Sequence, residues 1–296
     1  VSTDWSSQGA RPPASGVAAP ASGEGQTLWP AEAIWEAVSP LLAGFTVEVL
    51  PEVDSTNSEL MRRVRAGRMD PVLLVAERQT AGRGRLGRVW LSGPGDAGGD
   101  RPSQGPDAGT SLPSLTFSLG LPLAPVDWSG LSLAVGVSLA ESLHPRIQLK
   151  WPNDLWLSGR KLAGVLIETA SFGEGDAGRR YAVIGIGINI AAREGAGLSI
   201  PPAWLQELLP GVQAGEILLR VAAPLVQAVQ AFETFGFAPF QARFNARDAL
   251  RDRAVVLSDG SIGTAHGTSE GGALLVHTAR GMNTVTSSEV SVRPVT

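Results

Sequence analysis

Apolar positions along the chain recur at two periods, and the switches between them mark out the elements. In residues 29–44 (WPAEAIWEAVSPLLAG), Ile34, Trp35, Val38 and Leu41 or Leu42 share one face at helical spacing. A strand, FTVEVL (45–50), follows. VDSTNSELMRRVRAG (53–67) opens with Ser, Thr and Asn ahead of a periodic run and stops at Gly67, the start and stop signals of a helix. PVLLVAE (71–77) and SLTFSLGL (114–121) read as strands, and LSLAVGVSLAESL (131–143) reads as a buried helix. Next come a strand RIQLKW (146–151), a turn at PND (152–154), a strand LWLS (155–158), a turn at GRK (159–161) and the apolar run LAGVLIET (162–169). After a turn over 171–180, YAVIGIGINI (181–190) alternates and is rich in Ile, as a central strand is. ILLRVAAPLVQAVQAFETF (217–235) is an amphipathic helix. From about Arg251 the pattern changes to short strands with tight turns, including the hairpin signal Asp259-Gly260, which makes a small β-barrel or sandwich of the last residues.

Two segments carry neither period. Residues 1–27 are rich in Ser, Ala, Pro and Gly, offer little to bury, and read as a disordered tail without the basic start and apolar run of a secretory signal. Residues 92–113 are a low-complexity insertion that reads as a surface loop. The apolar run from Leu131 is too short and too interrupted to span a bilayer, so a cytoplasmic protein is expected.

Composition narrows the chemistry. A net charge of -4 with 43% hydrophobic residues disfavours a duplex-coating protein. The absence of cysteine excludes disulfides and thiolate chemistry, and His144, His266 and His277 have no metal-ligand spacing. Of 24 Lys and Arg residues all but Lys150 and Lys161 are arginine. Lysine offers a compact charge where arginine offers a planar fork, so a lysine kept in an arginine-rich chain draws attention to Lys161.

The stretch TAGRGRLGRVW (80–90) has Gly82, Gly84 and Gly87 at the spacing G-x-G-x-x-G. A dinucleotide-binding turn needs a helix directly after the third glycine, and RVWLSGPGD is no helix. No G-x-x-x-x-G-K-[ST] phosphate loop is present either. What remains is a glycine-rich loop carrying Arg83, Arg85 and Arg88, suited to clamping an anion as a lid. By itself it would read as a solvated basic loop.

Taken together and in order, VDSTN (53–57), ERQTAGRGRLGRVW (77–90), LKWPNDLWLSGRKLAGVLIE (149–168) and VIGIGINI (183–190) resemble biotin protein ligases, and the resemblance extends over residues 45–296. It implies an α+β fold: a mixed β-sheet flanked by helices, like the class II aminoacyl-tRNA synthetases, with a small carboxy-terminal SH3-like β-barrel. The implied division is a tail over 1–27, a biotin- and ATP-binding catalytic domain over 28–250 and a small β-barrel domain over 251–296. The implied reaction is ATP-dependent formation of biotinyl-5'-AMP and transfer of biotin to one lysine of a biotin carboxyl carrier protein, with biotin, ATP and magnesium (Mg2+) required. The tail and one short helix cannot form the DNA-binding segment that many bacterial relatives carry, so neither DNA nor membrane is an expected partner, and the protein is expected as a monomer or homodimer. The alternatives are a lipoate or octanoate protein ligase of the same fold, which lacks the G-R-G-R lid in this context, and a biotin sensor without catalysis.

Residue by residue, the resemblance implies that Ser55, Thr56, Asn57 and Gln79 line the biotin pocket. Gly82, Arg83, Gly84 and Arg85 would close over the carboxylate and α-phosphate. Lys161 would sit between those two anions, with Gly164 and Gly185, and Gly187 beyond it, allowing close approach of ligand. Arg85, Arg88, Trp90, Asn153, Lys161 and Asn189 would serve the nucleotide, and Asp154 would hold magnesium. Lys161, Arg83 and Asp154 are the implied catalytic residues. Ser55, Thr56 and Asn57 also suit a helix cap, and Asn153-Asp154 after Pro suits an ordinary turn.

Overall fold

The computed structural model describes residues 29–91, 112–171, 179–192, 201–257, 260–286 and 293–294. The expected tail, the insertion apart from Leu112 and Pro113, most of the turn over 171–180 and Asp259 lie outside the described residues.

Seven strands make the main sheet: β1 (Thr46–Val53), β2 (Val72–Gln79), β3 (Ser114–Leu123), β4 (Gln148–Lys150), β5 (Asp154–Leu157), β6 (Arg160–Ser171) and β7 (Arg180–Asn189). Their order is β1-β2-β3-β7-β6-β5-β4, with β1 and β2 parallel and the remaining pairs antiparallel. The Ile-rich β7 is the central strand, as its alternation predicts.

Side chains alternate across a strand, so each strand contributes to two faces. One face is apolar. Leu115, Phe117, Leu119 and Leu121 of β3 and Ala182, Ile184, Ile186 and Ile188 of β7 join one large core. Helices α1 (Ala31–Val38), α3 (Leu131–Leu143), α4 (Ala214–Phe235) and α5 (Ala238–Asn245) add to it, as do other strands of this sheet and residues nearer the carboxy terminus such as Val255 and Val276. The other face is covered over part of its area by α2 (Thr56–Arg65), whose Leu60 and Val64 pack on Val72, Leu74, Tyr181 and Val183. Beside the amino-terminal end of α2 this second face carries Thr116, Gly185 and Gly187, with Ser118 buried beneath, and a depression is left.

The first helix is shorter than its sequence pattern. It ends at Val38, before Pro40, and Leu41 and Leu42 follow in turns. Ile34 and Val38 are fully buried, but Trp35 is 49% exposed and so does not belong to the buried face. A helical stripe only three turns long has little power to separate adjacent positions such as 34 and 35.

The carboxy-terminal strands β8 (Ala254–Val256), β9 (Ile262–Thr268), β10 (Leu274–Thr278), β11 (Gly281–Val285) and β12 (Arg293–Pro294) form an antiparallel sheet in the order β11-β10-β9-β8-β12. It is tied to the main body by polar contacts, one of them fully buried. Trp151 Nε1 donates to the Gly272 carbonyl at 3.0 Å, and Asn245 Oδ1 accepts from Thr268 N at 3.0 Å. Among the described residues no helix is long and apolar enough to cross a membrane.

Candidate active site

The depression beside α2 is a cavity of about 450 Å³, counting its open mouth, and its floor is dictated by strand register. Thr116 of β3 pairs with Gly187 of β7, which pairs with Gly164 of β6; one step along, Ser118 pairs with Gly185, which pairs with Leu166. Glycine at the two successive positions of β7 on this face, 185 and 187, removes the side chains there while Ile184, Ile186 and Ile188 fill the opposite face. A Cβ on Gly185 would lie 2.2 Å from Asn57 Oδ1, and one on Gly187 would lie 2.3 Å from Trp90 Cε2. Side chains from other elements occupy the space the glycines leave.

Ser55, Thr56 and Asn57 are all buried at the start of α2. Ser55 is the cap residue, with its hydroxyl in a long 3.5 Å contact to Ser58 N, and Arg62 beside Asp54 holds that carboxyl down at about 2, which fixes the entry to the helix. Capping and cavity lining thus coexist in one segment. Thr56 N and Oγ1 both meet Gln79 Oε1, at 2.8 and 3.2 Å. Ser118 Oγ lies 2.7 Å from Thr56 Oγ1 and 2.6 Å from Asn57 Oδ1, and Asn57 Nδ2 donates to Glu168 Oε2 at 2.9 Å and to the Leu166 carbonyl at 3.2 Å. The result is a continuous polar chain under the cavity, and such chains hold their members in one arrangement.

The arginine-glycine stretch folds back on itself as a small hairpin. Arg83 bridges Val89, Gly84 N donates to the Arg88 carbonyl at 2.7 Å, and Trp90 N donates to the Gly82 carbonyl at 2.9 Å. Leu86 and Gly87 turn its tip with φ values of 56° and 70°, so no helix follows Gly87. Arg83 reaches back to Glu168 Oε1 at 2.8 Å and to Ser58 Oγ at 3.1 Å. Arg85 points the other way, to Asn153 Oδ1 at 3.4 Å; burial draws its guanidinium below arginine's ordinary pKa, the Asp154 charge opposes that, and Arg88 adds to it.

Lys161 forms an ion pair with Asp154 Oδ1 at 2.6 Å, and its ammonium is 5.7 Å from the centroid of the Trp90 ring. Asp154 Oδ1 is cut off from solvent and makes no directed hydrogen bond besides this charge contact. Trp90 Nε1 is likewise buried without a partner. Asn153 Nδ2 donates to the Val165 carbonyl at 2.8 Å, which anchors the turn to β6.

Of the residues singled out in the sequence, Ser55, Thr56, Asn57, Gln79, Arg83, Gly84, Arg85, Trp90, Asn153, Lys161, Gly164 and Gly185 border this one cavity, and Gly187 joins them. Four others stand apart from its wall. Arg88 is exposed, Gly82 closes the base of the hairpin against Trp90, and Asp154 stands behind Lys161. Asn189 is buried, donating to the Ala203 carbonyl at 3.1 Å and more weakly to that of Lys161 at 3.4 Å. Three polar residues escaped the sequence reading: Thr116, Ser118 and Glu168. The signal for the first two was present, since in SLTFSLG hydroxyls take every second place between Leu115, Phe117 and Leu119.

Comparisons with known proteins bear on the same region. The profile of the biotin/lipoate A/B protein ligase family matches residues 115–189. The chain is 34% identical over 261 residues to the "Bifunctional ligase/repressor BirA" of Escherichia coli (strain K12), covering 85% of this chain and 75% of that protein. It is 30% identical over 250 residues to the "Biotin--[acetyl-CoA-carboxylase] ligase" of Paracoccus denitrificans, covering 82% of this chain and 98% of that one. Among solved structures it is similar to the biotin protein ligase from Aquifex aeolicus in complex with biotin and ATP, with a TM-score of 0.65 and 29% identity over 84% of this chain and 99% of the other.

Proposed function

The chain belongs to the biotin protein ligase family, and from that premise we propose that the cavity beside α2 is where it joins biotin to ATP. The enzyme is an ATP-dependent ligase. An oxygen of the biotin carboxylate attacks the α-phosphorus of ATP, the bond to the β-phosphate breaks, and pyrophosphate leaves. The neutral amine of a lysine on a biotin carboxyl carrier protein then attacks the acyl carbon of biotinyl-5'-AMP, AMP departs, and the amine loses a proton.

The first step brings two anions together. Unit charges about 4 Å apart repel by roughly 4 kcal/mol at an effective dielectric of about 20, and a fixed cation between them reverses the sign of that term. The observation that carries the proposal is that Arg83 and Arg85 of the hairpin and Lys161 of β6 approach one cavity from two segments far apart in the chain. Lys161 offers a compact ammonium able to follow charge as it shifts from carboxylate to phosphate, and Asp154 holds that ammonium in place. Arg85 and Asn153 face the nucleotide side. Arg83 and Gly84 overlie the acyl end, where the hairpin keeps water from the mixed anhydride. Ser55, Thr56, Asn57 and Gln79 present hydroxyl and amide groups to the polar ring of biotin, and Gly164, Gly185 and Gly187 give the backbone clearance. Trp90 offers an indole face to the nucleotide.

Magnesium commonly takes one carboxylate together with phosphate oxygens and water, and since Asp154 Oδ1 is engaged by the Lys161 ammonium, the ion would meet this carboxylate through its other oxygen. Asp154, with Asn153 next to it, would hold the ion, which supplies charge neutralisation of the phosphates. In this reading residues 28–250 form the catalytic part and 251–296 the smaller carboxy-terminal part.

The test is to incubate the protein with biotin, ATP, magnesium and a biotin carboxyl carrier domain and to weigh the carrier. The carrier gains one biotinyl group; a carrier that stays unmodified with biotin but accepts lipoate would overturn the proposal.

A further inference from the structure

Glu168 has no part in the chemistry above, yet it touches both halves of the cavity, and its role as argued here rests on the biotin reading of that cavity. It lies on β6 in the same row as Gly164 and Leu166, with its side chain 23% exposed. Its two oxygens face different partners: Oε2 accepts from Asn57 Nδ2 at 2.9 Å, and Oε1 accepts from Arg83 Nη2 at 2.8 Å.

An ionised carboxylate only accepts hydrogen bonds, and this fixes the direction of everything behind it. Asn57 must turn its NH2 group to Glu168, and the Leu166 carbonyl demands a donor from the same nitrogen. Asn57 Oδ1 is thereby turned to Ser118, whose single hydroxyl hydrogen goes to it. With that hydrogen spent, Ser118 can only accept from Thr56 in their 2.7 Å contact. Gln79 in turn has its oxygen committed to Thr56 N. Asn57 is thus oriented jointly by Glu168 and the Leu166 carbonyl, and that orientation passes through Ser118 to Thr56, while Gln79 is fixed separately by Thr56 N.

We propose that Glu168 is a positioning residue that sets the hydrogen-bond polarity of the biotin floor through Asn57 and docks the overlying hairpin through Arg83. One carboxylate couples the floor to the lid. A half-exposed ion pair adds little to stability, so a purely structural role would leave ligand affinity and intermediate retention untouched.

Glu168→Gln keeps the shape but cannot serve both donors, since its oxygen can meet one and its NH2 then opposes the other. The expected results are a biotin affinity by titration calorimetry weakened about 10- to 100-fold, the range of a lost charge-assisted hydrogen bond, and faster escape of biotinyl-5'-AMP into solution. Two double-mutant cycles separate the couplings: with Asn57→Ala the effects on biotin affinity are non-additive, and with Arg83→Ala the effects on adenylate escape are non-additive. Glu168→Asp, one methylene shorter, keeps one coupling and loses the other. Unchanged affinity and escape in Glu168→Gln, or additivity in both cycles, overturns the inference. If the unaltered protein makes no biotinyl-5'-AMP, it is the proposed function that fails; if it does and the cycles are additive, only the role of Glu168 fails.

Discussion

Lys161 Nζ and Asp154 Oδ1 meet at 2.6 Å across the β5–β6 hairpin because the register slips there. Leu155 pairs with Ala163 while Trp156 pairs with Lys161, so Leu162 is the extra residue of a bulge. A bulge re-aims the side chains beyond it. By strict alternation Lys161 and Gly164 would face opposite sides of the sheet. With the bulge they share one, and a Cβ on Gly164 would lie 3.1 Å from the ammonium.

Removing that ammonium should leave the fold intact and disable the first half-reaction. Lys161→Ala is expected to slow pyrophosphate release about 100- to 1000-fold, the usual effect of losing one preorganised electrostatic stabiliser. Lys161→Arg should not restore it, because a planar fork does not replace a compact charge held by Asp154. Pyrophosphate release at the unaltered rate from the alanine variant would remove Lys161 from the chemistry.

The glycine at 185 makes a second case. Its Cβ would sit 2.2 Å from Asn57 Oδ1, whose own position is held by Ser118 and Glu168. Gly185→Ala is therefore expected to push Asn57 out of place, costing about 1 to 3 kcal/mol in thermal or urea melts, as overpacking does, and weakening biotin binding at least tenfold. Normal biotin affinity in this variant would show that Asn57 is free to yield.

These two residues also show how much the sequence disclosed. Period-2 and 3.6 patterning gave the longer strands and helices but not α5, and the glycines of GIGIN stood out because a central strand tolerates them poorly. Lys161 stood out by rarity. What placed these residues around one cavity is not local: the pairing of Gly187 with both Thr116 and Gly164 joins segments far apart in the chain, and the bulge at Leu162 leaves no mark in composition. Trp35 failed for the opposite reason, because a short helical stripe assigned it to a face that its neighbour Ile34 occupies. Glu168 was invisible since its significance lies in two contacts, one with a helix and one with a loop.

Ser118 tests the polar chain without touching either charged end. Its hydroxyl is fully buried between Thr56 and Asn57, and Ser118→Ala leaves Asn57 Oδ1 without its donor. A stability loss of about 1 to 3 kcal/mol is expected for such an unpaired buried acceptor, together with weaker biotin binding. Equal stability in denaturant titrations would mean that water or a rotated Asn57 replaces the contact.

Asp248 concerns the junction between the main body and the carboxy-terminal sheet, and its effect should depend on pH. Its Oδ1 accepts from Leu250 N at 2.8 Å, while Oδ2 is buried without a partner, and burial pushes the carboxyl from 3.8 up to about 6. The folded form therefore holds its proton more tightly than the unfolded chain does. The stabilisation this gives is fully present below the ordinary value of 3.8 and is lost as pH rises through about 6. A shift of this size corresponds to about 3 kcal/mol as an upper figure. Asp248→Asn keeps a carbonyl for Leu250 N and removes the titration, so the variant should melt higher than the parent at about pH 7.5 and match it at about pH 4. A difference that is the same at both pH values, or a parent that is the more stable at the higher one, would mean that the Asp248 carboxylate is solvated in the folded protein.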